Sequence, residues 1–439
     1  VSSSELFIDR KRITICKFMK TANSIYICVF VMLTLYGISN AQDNSPYEKD
    51  YEVIQYGSAE LGNAVSKLQA RLSANELTLQ FSNKRGYLDS VLEALDVSTT
   101  SQILVFSKTS LQQTLISPNT PRAIYFNDDV YVAWVPKSGA LEIGSMDQGL
   151  GPIFFTLDQI EKNQPAFTRQ FRQCLRCHDS LSLTGGGTPR FMMSSNYTGP
   201  AGQLVSHEGS IMTTSRTPIK SRWGGWFVTG SHGAQMHLGN VIVENAGDVL
   251  DENLSNSGNR TSLSGLTDIE PYITPYSDIV ALMVIEHQIE VQNVITRVNF
   301  RARTLLADDQ LDTTDTEEQL SMLSEELVHS LFMVGQPELI DPIEGNSGFS
   351  EYFISIGKKD TLGRSLRDFD LKTRLFKYPL SYLIHSDAYL ALPAEVKDIV
   401  DKRIEEILSL DYEDEIFSHL SGNDKTAILE ILSDTVTNQ

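Results

Sequence analysis

One short segment constrains this chain more than any other: residues 173–179 read Gln-Cys-Leu-Arg-Cys-His-Asp. Cys174, Cys177 and His178 form a Cys-x-x-Cys-His motif, the attachment signature of c-type haem. Two thiols about one helical turn apart reach both vinyl groups of one porphyrin as thioethers, and the adjacent imidazole falls beneath the iron. The sequence therefore predicts one covalent haem c, attached through Cys174 and Cys177, with His178 as an axial iron ligand.

Three other interpretations of the two cysteines fit less well. A thioredoxin-like pair follows a buried parallel strand in a βαβ unit, whereas residues 167–173 are too polar for such a strand. A zinc site needs two further ligands at close spacing, and no second cysteine pair exists. The third interpretation is an accidental disulfide loop.

The N-terminus has the order of a secretory signal peptide. Lys17 and Lys20 precede an apolar stretch at 25–38, and small residues follow up to Ala41. This order predicts cleavage after Ala41 and export to the periplasm. The apolar stretch has 14 residues, whereas a membrane span needs about 20, so the length favours a cleaved signal. An uncleaved membrane anchor is the alternative.

Met19 is the natural first residue of a signal at 19–41, and we interpret residues 1–18 as an upstream extension. Cleavage removes Cys16 and Cys28, so the mature chain keeps only the two motif cysteines. Because haem c is attached outside the cytoplasm, the export signal and the motif agree.

The formal charge of −20 argues against nucleic-acid binding and against docking on anionic lipid. With 41% hydrophobic residues the chain is able to form a globular core. We expect its partner to be a redox protein or a small-molecule electron donor or acceptor, with membrane contact only if the signal is uncleaved.

Patterning divides the mature chain into three regions. Residues 42–165 are predicted to be an α/β region, with helical periodicity at 47–77 and 87–95 followed by short β-type runs at 102–106, 123–126, 130–135 and 140–143. Residues 166–305 hold the haem motif, and residues 306–439 form a helical region, with apolar spacing typical of helices at 317–334, 361–374, 375–385 and 395–408.

The predicted fold class is α+β and predominantly helical. In this prediction a cytochrome c-like haem region is embedded between a small β-containing N-terminal region and a helical C-terminal region. Residues 276–300 are the clearest long helix, preceded by Pro275 and capped by Ser277.

Several side chains are candidates for further contacts with a haem. Arg190 follows three consecutive glycines and offers a guanidinium to a haem propionate, or forms a surface salt bridge. The motif does not identify the residue that provides the sixth iron ligand, because both Met and His commonly take this position. Its candidates are Met192, Met193, Met236, His237, Met283 and His287.

His232, His237 and His287 are candidates for acid/base catalysis at the iron. The first two lie in the glycine-rich segment 222–240, which would form a wall of the haem pocket, and the alternative is a loop whose histidines bind backbone atoms. His287 shares a helix face with Met283, and that face either points at iron or belongs to an ordinary helix surface.

The chain resembles a family of large exported bacterial monohaem cytochrome c-like proteins that carry a single Cys-x-x-Cys-His. The resemblance rests on segments 121–131, 174–178, 222–240, 274–288 and 374–384. It implies haem and export, and it implies no substrate.

Two functions follow from these predictions. The first is electron transfer by one low-spin haem, and the second is a haem-dependent oxidoreductase or peroxidase with a substrate pocket over the iron. The mature chain is several times longer than the ~100 residues that one haem needs, which a substrate pocket would explain. No second haem motif is present to relay electrons, and the sequence favours electron transfer by a small margin.

Overall fold

The computed structural model describes residues 52–205, 210–244, 258–308 and 313–436, to which all statements below apply. These residues belong to one compact unit that begins at Tyr51. The predicted signal peptide at 19–41 lies outside the described residues.

The centre of the fold is a seven-stranded antiparallel sheet. Its strands are β1 (Ile103–Val105), β2 (Arg122–Phe126), β3 (Val130–Trp134), β4 (Ala140–Asp147), β5 (Gly151–Asp158), β6 (Phe167–Arg169) and β9 (Trp226–Phe227). They follow the order β6-β5-β4-β3-β2-β1-β9 in the sheet. A separate two-stranded ladder pairs β7 (Ser194–Ser195) with β8 (Ile211–Met212). The sheet therefore takes strands from both sides of the predicted region boundary at residue 165.

Short polar turns connect the central strands. The Asn127 side chain accepts hydrogen bonds from the amides of Asp129 and Val130, which closes the β2–β3 hairpin. Asp147 does the same for the amides of Gly149 and Leu150 between β4 and β5. Both are turns in which a side chain replaces a backbone acceptor, and they fix the register of the antiparallel ladder.

The described residues also form ten helices. They are α1 (Ala64–Ser73), α2 (Leu88–Ala94), α3 (Arg172–His178), α4 (Leu181–Thr184), α5 (Ile279–Leu306), α6 (Thr313–Leu331), α7 (Phe349–Ser355), α8 (Asp387–Leu390), α9 (Ala394–Leu408) and α10 (Gly422–Val436). The long helix α5 is largely buried, and its N-cap is Asp278, whose side chain accepts from the amides of Val280 and Ala281. The prediction of Ser277 as the cap is wrong, because the Ser277 hydroxyl instead donates to the carbonyl of Phe227.

One face of the sheet carries both α5 and the motif helix α3. The register places Ala133, Glu142 and Thr156 side by side on this face, which we call the motif face. The Tyr131 hydroxyl donates to Gln292 of α5 at 2.6 Å. Phe154, on the same face, packs its ring against His178. The motif and α5 are therefore neighbours on a rigid sheet.

The prediction of a predominantly helical, cytochrome c-like fold is wrong. The described residues are 35% helical and 15% in strands, and they show no cytochrome fold. The predicted helices at 361–374 and 375–385 are largely absent, since only Tyr382–His385 forms a short 3₁₀ turn there. The Asp370 carboxylate instead accepts from the amides of residues 372–374 and forms a turn, because a short acidic side chain competes with helical hydrogen bonding.

Among the helices of the described ranges, none combines the length and the apolar character that a membrane crossing requires.

Candidate haem-attachment site

The two motif cysteines lie on the short helix α3, one turn apart. Cys174 is half-buried and Cys177 is exposed. Leu175, 8% exposed, anchors the helix in the core. The preceding strand β6 is an antiparallel edge strand paired with β5, so the parallel strand of a thioredoxin-like βαβ unit does not precede the cysteines.

His178 is held in one orientation by its neighbours. Its Nδ1 lies 2.7 Å from the carbonyl oxygen of Arg190, which only accepts, so Nδ1 carries the proton. Its ring centroid lies 4.3 Å from that of Phe154. Burial lowers the pKa of His178 to about 4, so the imidazole is neutral at pH 7. The lone pair therefore lies on Nε2, the arrangement that metal-binding histidines adopt.

The segment that holds His178 is itself fixed to α5. The amide of Arg190 donates to the carbonyl of His178 at 2.9 Å. One residue later, the Asn293 side chain accepts from the amide of Phe191 and donates to its carbonyl, both at 2.9 Å. The Phe191 ring lies directly over Gly144, where an added Cβ would come within 2.6 Å of it. The imidazole thus connects through one backbone segment to both the sheet and α5.

The Cys174 thiol is not prepared for thiolate chemistry. Burial, followed by the nearby Glu142 carboxylate, raises the pKa of Cys174 to about 12. Redox-active and zinc-binding cysteines need the thiolate, which a positive environment favours. In the parts of the chain that are described, no group of three His, Cys, Asp or Glu side chains converges to hold a metal ion. A zinc site at this motif would need ligands from elsewhere.

Apolar groups beside the motif are left exposed. Leu181 is 82% exposed and Leu183 is 50% exposed. Ile124, on the motif face in the interior of the sheet, is half-exposed as well. Gly185, Gly186 and Gly187 have φ values of +80°, +70° and +85°. Only glycine adopts three such conformations in succession at low cost, and a backbone without side chains permits close approach of a flat ligand.

Buried polar atoms near the motif are also without partners. Arg122 binds Glu142 through one nitrogen at 3.1 Å, but the Nε of Arg122 and the Oε1 of Glu142 have no hydrogen-bond partner within the described residues. The same holds for the Nε of Arg190. Such orphaned atoms are rare in folded proteins and commonly mark a missing ligand or water. With the ligand-ready His178 and the exposed leucines, these residues fit a porphyrin attached through Cys174 and Cys177.

The predicted sixth ligands are spread over the fold. Met192 is half-buried and directly follows Phe191, while Met193 is 4% exposed. His287 is 1% exposed, with Nε2 bound to Ser381 at 2.8 Å and Nδ1 facing Gln336 at 3.4 Å. Both nitrogens of His287 are therefore engaged. Met283 is buried at 4% exposure, one turn earlier on α5.

His232 and His237 lie together, away from the motif. Their ring centroids are 4.6 Å apart, and both are almost fully buried. The Gln235 side chain of the same loop donates to the carbonyl of Asp341, and Thr229, which precedes the loop, pairs with Asp278 at the start of α5. His237 also packs against Trp223, with ring centroids 5.3 Å apart, and the adjacent Arg222 binds Glu286 of α5 at 3.0 Å. Neither histidine makes a described contact with the motif, which lies beside Asn293 further along α5.

Met236 belongs to the same remote loop and is 49% exposed. His237 uses Nδ1 to accept from the amide of Gly239 at 3.0 Å, and its Nε2 is buried without a partner in the described chain. Burial lowers the pKa of His237 to about 3. Among the six candidates for the sixth ligand, Met192 alone lies next to the segment that holds His178 and is partly accessible.

Sequence reasoning missed Phe154, Asn293 and the Arg122–Glu142 pair. The position of Phe154 on the motif face could be predicted once β5 is recognised as a strand, because alternate residues of a strand share a face and Thr156 lies on it. The other residues reach the motif through tertiary packing, for which no local signal exists.

Comparison of the chain with protein-family models, with curated proteins and with solved structures gives no match, so the family resemblance stays a prediction.

Proposed function

We propose that this protein is an exported monohaem c-type cytochrome that transfers electrons. In this proposal Cys174 and Cys177 attach the porphyrin and His178 provides one axial ligand. The observation that carries the proposal is the state of His178, whose Nδ1 proton is committed to the Arg190 carbonyl at 2.7 Å, leaving Nε2 as the metal-binding atom.

The placement of the thiols supports covalent attachment. Cys174 and Cys177 lie on one helix, and neither is paired in a disulfide. Free thiols are required because each must add across a vinyl group to form a thioether. Once attached, the haem would supply a one-electron couple whose potential is set by its axial ligands and its surroundings.

The residues around His178 have clear tasks in such a site. The Arg190 carbonyl raises the basicity of the imidazole and fixes its orientation, while Phe154 prevents rotation of the ring. Met192 is the best-placed candidate for the second axial position. A fixed ligand set suits electron transfer because little must reorganise when the charge of the iron changes.

The location of the motif favours electron transfer over catalysis. Cys177, Leu181 and Leu183 are exposed, so the attachment helix is open to a redox partner. The alternative, an oxidoreductase or peroxidase, needs a substrate pocket over the iron.

The test is an optical spectrum of protein produced together with haem-attachment machinery in a periplasm. We expect one haem per chain, a pyridine haemochrome spectrum typical of two thioether bonds, and a six-coordinate low-spin iron. C174S and C177S should each retain a single thioether, and the double variant should lose covalent haem.

His178→Ala should abolish the low-spin spectrum. His385→Ala is the matched control, because His385 is also half-buried with one side-chain bond, to Thr435 at 3.0 Å, and should leave the spectrum unchanged. A colourless protein would refute the proposal. A high-spin ferric spectrum that shifts with cyanide or peroxide would refute electron transfer and favour the enzyme.

A further inference from the structure

The side chain of Arg190 is a half-buried cation that forms no ion pair within the described ranges, although the Asp179 carboxylate lies near enough to affect its charge. Its Nε is buried and has no hydrogen-bond partner, and no carboxylate among the described residues forms an ion pair with its guanidinium. Burial lowers the pKa of Arg190, an effect that the charge of Asp179 opposes. A desolvated charge is costly unless it is paired, so this position is suited to an anionic ligand.

A second arginine lies next to it on α5. Arg297 is one helical turn beyond Asn293, whose side chain binds the backbone of Phe191, and residues four apart share a helix face. Arg297 pairs with Glu326 of α6 through one terminal nitrogen, while its Nε is buried without a partner in the described ranges. Burial and the nearby charges of Arg190 and Arg216 lower the pKa of Arg297.

The third arginine of this group is already satisfied. Arg216 binds Glu290 at 2.9 Å, and the same carboxylate accepts from the amide of Ser215. Two guanidinium groups therefore remain with unused buried donors: that of Arg190, whose backbone carbonyl orients His178, and that of Arg297. Like charges held close together destabilise the protein unless an anion lies between them.

We propose that Arg190 and Arg297 form a clamp that binds the two propionate carboxylates of the porphyrin. This inference rests on the proposed function, since it names the residues that hold the acidic edge of the same cofactor. Arg190 donates from its unpaired guanidinium, and Arg297 donates from Nε while Glu326 keeps its other end in place. Planar guanidinium donors match carboxylates in geometry and charge.

The clamp has a consequence for the reduction potential. Positive charge beside the propionates keeps them ionised and offsets their negative charge, which otherwise favours the oxidised iron. Replacing either arginine by glutamine should therefore lower the potential. It should also raise the propionate pKa, so that the potential becomes pH-dependent between about pH 5 and pH 7, because a carboxylate without its cation binds a proton more readily.

The experiment is spectroelectrochemical titration of the haem-loaded protein from pH 5 to pH 8. The variants are R190Q and R297Q, with R190K and R297K as charge-retaining forms. R301Q is the matched control, because Arg301 is exposed one turn further along α5 and binds Gln319 at 3.0 Å. We expect a lower, pH-dependent potential in both glutamine variants, a smaller change in the lysine variants, and the wild-type potential in R301Q.

The outcomes separate this inference from the proposed function. If wild-type protein carries haem but R190Q and R297Q match R301Q in potential and pH dependence, the clamp is refuted and the cytochrome proposal stands. A change in R190Q alone refutes the two-arginine clamp. If wild-type protein carries no haem, the proposed function fails and the clamp fails with it. The propionate bending band in resonance Raman spectra is the second measurement if R297Q folds poorly, and it should shift in R190K.

Discussion

The side chain of Asn293 offers the sharpest test of how the motif is held. It makes two hydrogen bonds of 2.9 Å to the backbone of Phe191, and Phe191 is 6% exposed. Asn293→Ala removes both and leaves a buried N–H and a buried C=O without partners. Each orphaned group costs about 1–3 kcal/mol, so the free energy of unfolding should fall by about 2–6 kcal/mol.

Because Asn293 is itself half-buried, water entering the vacated space should reduce the loss to about 2–4 kcal/mol. Urea unfolding followed by far-UV circular dichroism measures this as a lower midpoint at an unchanged m-value. Asn423→Ala, on the exposed first turn of α10, is the control and should stay within about 0.5 kcal/mol. An Asn293→Ala protein as stable as this control would refute the described attachment of Phe191 to α5.

Three further predictions concern other parts of the fold. Gly144→Ala places a methyl group against Phe191 and should destabilise the protein by about 1–3 kcal/mol in urea unfolding, whereas Gly139→Ala, with open space around it, should not. Burial raises the pKa of Glu286 from 4.5 to about 7, so the folded state binds a proton that the unfolded chain releases. The free energy of unfolding should therefore fall as pH rises from about 5 to 7, and this pH dependence should be weaker in E286Q than in the wild type. The same pH dependence in both proteins would contradict this prediction. Met192→Ala should convert the low-spin spectrum of the loaded protein to high-spin, and an unchanged spectrum would exclude Met192 as a ligand.

Local patterns predicted part of this fold. The β-type runs at 130–135 and 140–143 correspond to β3 and β4, because strand alternation is encoded within each run. The helix predicted at 276–300 is present as α5, although it extends to Leu306. Strand β9 was missed, since it consists of two residues and pairs with β1 more than a hundred residues earlier.

The C-terminal region shows why apolar spacing misled the prediction. Phe369 and Phe376 fall at intervals that resemble helical periodicity, yet their rings stack with centroids 5.6 Å apart across a turn. Phe353 of α7 lies 5.2 Å from Phe369. An aromatic cluster built from irregular backbone therefore produces the same spacing as an amphipathic helix, and only tertiary structure separates the two.

Only the centre of the candidate site could be predicted from the sequence. The spacing of Cys174, Cys177 and His178 predicts the proposed haem attachment without a structure. The contribution of Arg297 depends on the helix face that it shares with Asn293 and on the crossing of α5 over residues 190–191, which no local signal encodes. The same reason explains why His287 was a candidate ligand, although the structure uses both of its nitrogens in the core.

The most direct test of the central claim is the intact mass of the purified mature protein, followed by fragmentation of the peptide that contains residues 173–179. The account predicts a mass increase of one haem per chain, carried by Cys174 and Cys177, with no thiol left for alkylation. A bare polypeptide mass, with both thiols alkylated, would contradict it.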